Sequence, residues 1–372
     1  MDAGTHERRS AYALRLAVLT VPAARRLPPQ GRLLLLFLGF ACLVAGIAGG
    51  LLRAGVAQAP GPLAPAIGLH GVLMVCGFLG TVISLERAVA LERGWAYAAP
   101  VACGAGGIAL LAQATSAGFW LLAAGAAVLL AASTMLAARR WSLESGTLAA
   151  AAGCWLAGNV LLALGVPVGA LLGWWIAFLA LTIGAERLEL SRYLPRSRAA
   201  HGLFAAIALS MVAAAFVSLR LTGLTLVALA GWLLAYDLAR KTLFSKGLAR
   251  YIAACLLAGY AWLALGGVLF AVNAAFDAAV HAVLVGFVFS MIFGHAPVIV
   301  PAVLRRALPY TPWLYLPLAL LHGSLAVRVA GGLAGAQAIR VAGSAGNAVA
   351  IALFVATAAA QVIHKSEGRS WR

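Results

Sequence analysis

The sequence predicts an all-α integral membrane protein with twelve transmembrane helices, and three observations support this fold class. Of the 372 residues, 64% are hydrophobic and only 10% are charged, and the mean hydropathy is +0.99. Apolar runs of about 20 residues, the length at which a helix crosses a hydrocarbon layer, recur along the whole chain. Helix-breaking segments separate these runs, for example at 59–62 and 273–277. A sizeable soluble domain is therefore not expected.

Residues 32–364 are predicted to form the membrane domain, between a cytoplasmic lead-in at 1–31 and a cytoplasmic tail at 365–372. The lead-in is not expected to be a cleaved signal, because Arg15 interrupts its apolar stretch. Hydropathy, breakers and charge place the spans at 32–53, 65–86, 95–114, 117–138, 145–166, 168–187, 201–219, 222–240, 250–272, 278–303, 311–330 and 337–363. Short connections and 41 glycines favour a compact bundle of closely packed helices.

Membrane topology explains the formal net charge of +17. All but four of the 27 Lys and Arg residues fall in one alternate set of loops and in the termini, the exceptions being Arg53, Arg220, Arg328 and Arg340. The positive-inside rule then places both termini in the cytoplasm, as expected for a protein of the bacterial inner membrane. Membrane lipid is the expected partner of the remaining positive charge, and nucleic acid is not.

Cysteine usage gives no sign of a covalent haem or redox motif. All five cysteines lie in apolar segments, and the sequence contains neither a CxxC pair nor CxxCH. We expect them to be small packing residues, so that any haem would be bound non-covalently.

Two histidines lie at matching depths in spans two and ten and begin similar segments, His70-Gly-Val-Leu-Met-Val-Cys-Gly-Phe78 and His281-Ala-Val-Leu-Val-Gly-Phe287. Both are roughly 5–10 Å below the outer membrane surface. An intramembrane histidine normally meets a partner, a cavity or a cofactor, and two neutral imidazoles fill both axial positions of a haem iron. We predict that the pair ligates one b-type haem, with Gly286 among the small residues that leave room for the macrocycle. Hydrogen-bonded packing residues are the alternative.

Two arginines, Arg328 and Arg340, flank the last outer loop at the depth of the histidine pair. A guanidinium group suits the carboxylate of a haem propionate, so both are candidate cofactor-binding residues. Interfacial anchoring is the alternative.

Two more histidines lie inside spans. His322, in the middle of span eleven, is a candidate ligand of a second metal, a candidate partner of another ligand, or a partner of a neighbouring side chain. His295 lies about 21 Å deeper than His281 on nearly the same helix face, too far to share its metal. It is predicted to bond a backbone carbonyl freed by a following proline, and a proton or small-molecule route is the alternative.

The ends of spans two, six and ten resemble one another. They contain Leu85-Glu86-Arg87-Ala88, Ala185-Glu186-Arg187-Leu188 and Leu304-Arg305-Arg306-Ala307. Together with the matched histidines, this spacing of four helices indicates three four-helix pseudo-repeats. Basic anchors at helix ends are the alternative explanation.

These motifs resemble subunit I of the haem-copper oxidase superfamily and, more loosely, the NnrS-type membrane proteins. His70-x-x-x-Met74 looks like the span-two motif that supplies one axial ligand of the low-spin haem in that superfamily. His281, followed by Gly286 and later by His295-x-Pro, looks like the span-ten motif that supplies the other. The two arginines beside the last outer loop occupy the region where the family's arginines meet the propionates. The resemblance implies twelve helices in three arcs around one haem.

The sequence departs from this family at the oxygen-reducing centre. The His-Pro-x-x-Tyr motif of span six and the His-His pair after span seven are missing, and Ala279 stands where the high-spin haem ligand would fall. The resemblance therefore does not imply oxygen reduction. NnrS-type proteins bind haem and copper and are tied to nitric oxide stress, but their His-x-His-Glu-Met motif is reduced here to His70-Gly-Val-Leu-Met74.

The sequence thus predicts a haem-binding membrane protein for electron transfer with a redox partner protein, or for a response to nitric oxide. Whether it is an enzyme stays open. A secondary transporter is one alternative, although span interiors lack the carboxylates expected for ion coupling. A copper-binding or copper-handling protein that uses His70, His281 and His322 with Met74 or Met291 is the other.

Overall fold

The computed structural model describes residues 27–56, 64–191 and 197–367, and these ranges contain helices and no strand. Twelve of the described helices are long and apolar enough to cross a membrane, so the predicted fold class is confirmed. They are Pro29–Ala54, Ala66–Leu91, Gly94–Leu111, Thr115–Arg139, Leu143–Ala163, Val168–Leu190, Arg198–Val217, Leu219–Tyr236, Leu248–Ala271, Phe276–Leu304, Pro312–Leu333 and Gln337–Val362, numbered below as spans one to twelve. The protein is a multi-pass membrane protein. Most of the predicted lead-in and the end of the tail lie outside the described residues.

Each span packs against its neighbour in sequence, and span twelve also contacts span one. Span six is central, because 83% of the residues in its most apolar 18-residue stretch are buried. The corresponding fraction for span one is 39%. Glycine residues permit the closest approaches between helices. A Cβ at Gly49 of span one would overlap the carbonyl of Ala66 in span two, and a Cβ at Gly343 of span twelve would overlap the backbone of Arg328 in span eleven. These two contacts hold span one against span two, and span twelve against span eleven, beside the candidate site.

Spans two and ten share an irregularity that hydropathy did not predict. Span two is π-helical over Leu73–Leu79, directly below His70, and span ten is π-helical over Ala282–Phe289, directly below His281. A π-helical turn holds more residues than an α-helical turn and is rare in proteins, where it is frequent at functional sites. The α-helical count that placed His295 near the face of His281 therefore does not hold across this segment.

Span eight ends earlier than predicted, at Tyr236 instead of residue 240. Asp237 is extended, and its carboxylate accepts the N–H of Ala239 at 2.6 Å, where the short helix Ala239–Thr242 begins. An aspartate that bonds the backbone two residues onward forms a turn, which is why the helix is interrupted here. The interruption places the Asp237 side chain inside the bundle.

Candidate functional site

The structure brings His70 and His281 together near one membrane face. We call this face, at which spans two and ten begin, the histidine face, and the other the opposite face. The ring centroids are 6.4 Å apart and the ring planes are 13° from parallel. With a metal–nitrogen bond of about 2 Å and a ring centre about 1.2 Å behind that nitrogen, two imidazoles across one metal have centroids about 6.4 Å apart. The spacing suits one shared metal.

Each imidazole uses the same ring nitrogen for a backbone hydrogen bond. Nδ1 of His70 lies 2.6 Å from the carbonyl oxygen of Gly46, and Nδ1 of His281 lies 2.7 Å from that of Asp277. A carbonyl can only accept, so both Nδ1 atoms donate and both neutral rings keep an unprotonated Nε2. Ligating histidines in proteins are oriented in this way, by giving the other N–H to a carbonyl or carboxylate.

Spans two and ten contact each other through their opposite halves, Gly80–Leu91 and Ser290–Leu304. We call the space between these halves and the histidine pair the gap. Eight residues beyond each histidine, the rings of Phe78 and Phe289 contact each other at 6.2 Å and close the gap from below. The gap is thus bounded by the imidazole pair at one end and by the aromatic pair at the other.

Span one forms a side wall of this gap. A Cβ at Gly50 would lie 2.6 Å from Cε1 of His70, and one at Gly46 would lie 2.8 Å from Sδ of Met74. Gly50 and Gly46 thus let the His70 ring and the Met74 side chain pack directly against the backbone of span one. Met74 is half-buried one helical turn below His70.

Of two glycines near the histidine pair, Gly286 and Gly71, only Gly71 has open space beside it. A Cβ at Gly286 would lie 2.4 Å from Cγ of Trp262 in span nine, so the space predicted beside Gly286 is filled by that indole. A Cβ at Gly71, by contrast, would meet nothing nearer than Val168, at 4.0 Å. Open space therefore borders span two and not the Gly286 side of span ten.

Arg328 and Arg340 contact the carboxylate of Asp277, which falls in the predicted helix break at 273–277. Arg328 donates to both oxygens of Asp277, from Nε at 3.2 Å and from Nη2 at 3.0 Å. Nη1 of Arg340 is 3.8 Å from the same carboxylate, which is also 3.4 Å from Nδ1 of His281. Arg340 further donates to Oε1 of Gln337, at 2.6 and 3.1 Å. The result is a charge cluster with two cations and one anion, anchored beside the histidine pair.

His322 lies in a separate hydrogen-bonded group. Its Nδ1 accepts the indole N–H of Trp262 at 2.9 Å, and its Nε2 is 3.2 Å from Oγ of Ser290. Since Nδ1 accepts, Nε2 is the protonated nitrogen and donates to the serine. Neither nitrogen is left for a metal, and the arrangement favours pairing with neighbouring helices. No group of three or more metal-binding side chains occurs within the described ranges.

His295 belongs to a buried polar network near the opposite face. Its Nδ1 lies 2.8 Å from the carbonyl of Met291, which is not a carbonyl freed by a proline, and its Nε2 lies 3.4 Å from Nη1 of Arg187. Arg187 forms a two-point ion pair with Asp237, at 2.7 and 2.9 Å. The hydroxyl of Tyr260 donates to the same carboxylate at 3.0 Å. This network joins spans six, nine and ten to the turn after span eight.

A sequence model of the family described as Domain of unknown function (DUF8744) matches residues 32–363. The chain belongs to this family. The histidine pair, the charge cluster and the buried network of this DUF8744 member all lie inside the matched region. No curated protein and no solved structure matches the chain significantly. Geometry and chemistry alone therefore support a functional assignment.

The charge cluster and the buried network contain two aspartates that sequence reasoning missed. Asp277 stands four residues before His281, a spacing that puts both on one helix face, and that signal was available. Asp237 had no comparable signal, because its partner Arg187 is 50 residues away in sequence.

Proposed function

We propose that this protein binds one b-type haem, held non-covalently between His70 and His281, and serves in one-electron transfer. The observation that supports the proposal is the pair of near-parallel imidazoles 6.4 Å apart, each bonded to a backbone carbonyl through Nδ1 and therefore unprotonated at Nε2. His70 and His281 would hold the haem iron, which would supply a ferric/ferrous couple for electron transfer.

The surrounding residues would prepare the two imidazoles for this task. Donation from Nδ1 to a carbonyl fixes the ring orientation and makes Nε2 more basic, so both rings are set before a metal arrives. Span one restricts the position of His70 through Gly50, and the first turn of span ten restricts His281 through the Asp277 carbonyl. Because the two side chains are already held in place, haem binding would cost them little conformational entropy.

The charge cluster favours an anionic cofactor over a bare cation. Arg328 and Arg340 exceed the single carboxylate of Asp277 by one positive charge. Haem propionates would be attracted to these guanidinium groups, whereas a lone copper ion between the same histidines would be repelled by them. Copper is the second candidate, because the spacing of the imidazoles also suits a copper ion with two nitrogen ligands.

Contacts among spans two, six and ten support an arrangement like that of haem-copper oxidase subunit I. Arg87 of span two pairs with Glu186 of span six at 3.4 Å, and Arg187 of span six reaches His295 of span ten. Three helices spaced four apart are thus mutual neighbours, as three pseudo-repeats require. We further propose a bacterial inner-membrane location with cytoplasmic termini, the histidine face outward and a redox partner protein there. A response to nitric oxide would require the gas to displace one histidine.

An optical spectrum of the purified protein tests this function. We expect a sharp Soret band and, after reduction with dithionite, resolved α and β bands typical of bis-histidine haem. The ratio of haem to protein should approach one. A colourless protein with stoichiometric copper would overturn the haem assignment in favour of the copper alternative. A protein with neither would leave the transporter hypothesis.

A further inference from the structure

A cavity of about 420 Å³ opens at the opposite face, far from the histidine pair. It lies where spans nine and eleven begin, and it is lined by Lys246, Gly247, Arg250, Tyr310 and Tyr315. No residue of the proposed haem site contributes to it. Its lining combines two cations with two phenol hydroxyls and no carboxylate, which is the chemistry of an anion site.

The backbone at this cavity also favours an anion. Span nine begins at Leu248, and Gly247 precedes it at φ 65° without a side chain to cap the first-turn N–H groups. The unsatisfied N–H groups and the helix dipole give this end of a 24-residue helix a partial positive charge. Phosphate groups commonly bind at such helix ends.

A buried tyrosine behind the cavity has an unsatisfied hydroxyl. Tyr251 is fully buried, and its hydroxyl has no hydrogen-bond partner within the described residues. Its ring contacts both cavity tyrosines, Tyr315 at 5.2 Å and Tyr310 at 6.3 Å. Tyr251 therefore packs behind the two tyrosines that line the cavity.

Exposed aromatic residues place the cavity at the depth of lipid headgroups. Phe244 is 88% exposed two residues before Lys246, and Trp313 is 71% exposed between the two cavity tyrosines. Trp and Tyr side chains of membrane proteins concentrate at the boundary between the hydrocarbon layer and the headgroups. A soluble phosphate would not need such neighbours, whereas the acyl chains of a lipid would pack beside them.

We propose that this cavity binds the phosphate headgroup of an acidic phospholipid. Lys246 and Arg250 neutralise the phosphate, the N-terminus of span nine donates N–H groups, and the tyrosine hydroxyls bond the remaining headgroup oxygens. Basic recesses between transmembrane helices bind anionic headgroups in this way. The proposal is independent of the haem assignment.

Native mass spectrometry of the detergent-purified protein tests the site, with phosphatidylglycerol as the probe. The variant Lys246→Gln/Arg250→Gln should bind phosphatidylglycerol about tenfold or more weakly than the unmodified protein does. The matched control is Arg139→Gln/Arg140→Gln, which removes the same charge from exposed arginines at the end of span four, on the same face. The control should bind phosphatidylglycerol like the unmodified protein. Tyr310→Phe, a smaller change, should weaken binding without altering the haem spectrum.

Two outcomes would overturn the proposal. Equal retention of phosphatidylglycerol by both double variants would show that headgroup binding depends on general surface charge and not on this cavity. If inorganic phosphate in millimolar excess displaced the lipid and protected the unmodified protein from thermal unfolding equally well, the ligand would be a soluble phosphate. Haem content measured on the same samples separates either result from a failure of the haem assignment.

Discussion

Alanine at either His70 or His281 is expected to abolish the bis-histidine haem spectrum. Each imidazole would supply one of two axial bonds, and its partner cannot hold the iron in a low-spin state alone. Loss of an outer-shell partner typically lowers metal affinity by about 10–100-fold, so loss of the ligand itself should cost more than about 100-fold. The measurement is the haem-to-protein ratio and the reduced spectrum of each purified variant.

The same chain offers matched controls for this prediction. His322→Ala and His295→Ala each remove a half-buried imidazole, but these rings bond Trp262 and Arg187. Both variants should retain the full haem content and an unshifted Soret band. Retention of haem by both His70→Ala and His281→Ala would show that the ligands had been assigned to the wrong residues.

Asp237→Ala is expected to destabilise the fold more than any single change at the histidine pair. Asp237 and Arg187 are 1% and 7% exposed in their side chains, and the carboxylate also accepts from Tyr260 and Ala239. Removal of one partner leaves an uncompensated buried charge, which typically costs about 3–5 kcal/mol. The free energy of unfolding, measured by denaturant titration in detergent, should fall by this amount.

The double variant Arg187→Met/Asp237→Leu serves as the control. Replacement of a whole buried ion pair by apolar side chains is often nearly neutral, because both desolvation penalties disappear. We therefore expect the double variant to recover much of the stability that Asp237→Ala loses. A double variant as unstable as the single one would mean that the turn after span eight, and not the buried charge, determines the loss.

Hydropathy was sufficient to predict the spans, because a helix in lipid must satisfy its backbone internally and needs a fixed length. Span ten was predicted at 278–303 and extends over Phe276–Leu304. The π-helical segments Leu73–Leu79 and Ala282–Phe289 could not be predicted in this way, since Leu, Val, Gly and Phe fit either helix type. They depend on how neighbouring spans pack.

The candidate site was only partly predictable for a related reason. His70 and His281 were recognisable because an imidazole is rare inside a bilayer, and so each stands out in its span. Arg328 and Arg340 are recognisable as candidates, but their partner Asp277 is not, because it falls in the predicted break before span ten. An ion pair between distant spans leaves no pattern in one sequence, because the pairing depends on tertiary packing.

Electron paramagnetic resonance of the oxidised protein tests the central claim most directly, because the signal depends on both the ligands and their relative orientation. Two imidazoles whose planes are 13° from parallel should give a rhombic low-spin ferric signal. A high-spin ferric signal would contradict the account by showing that only one histidine binds the iron. The strongly anisotropic low-spin signal of perpendicular imidazoles would contradict the geometry of the pair.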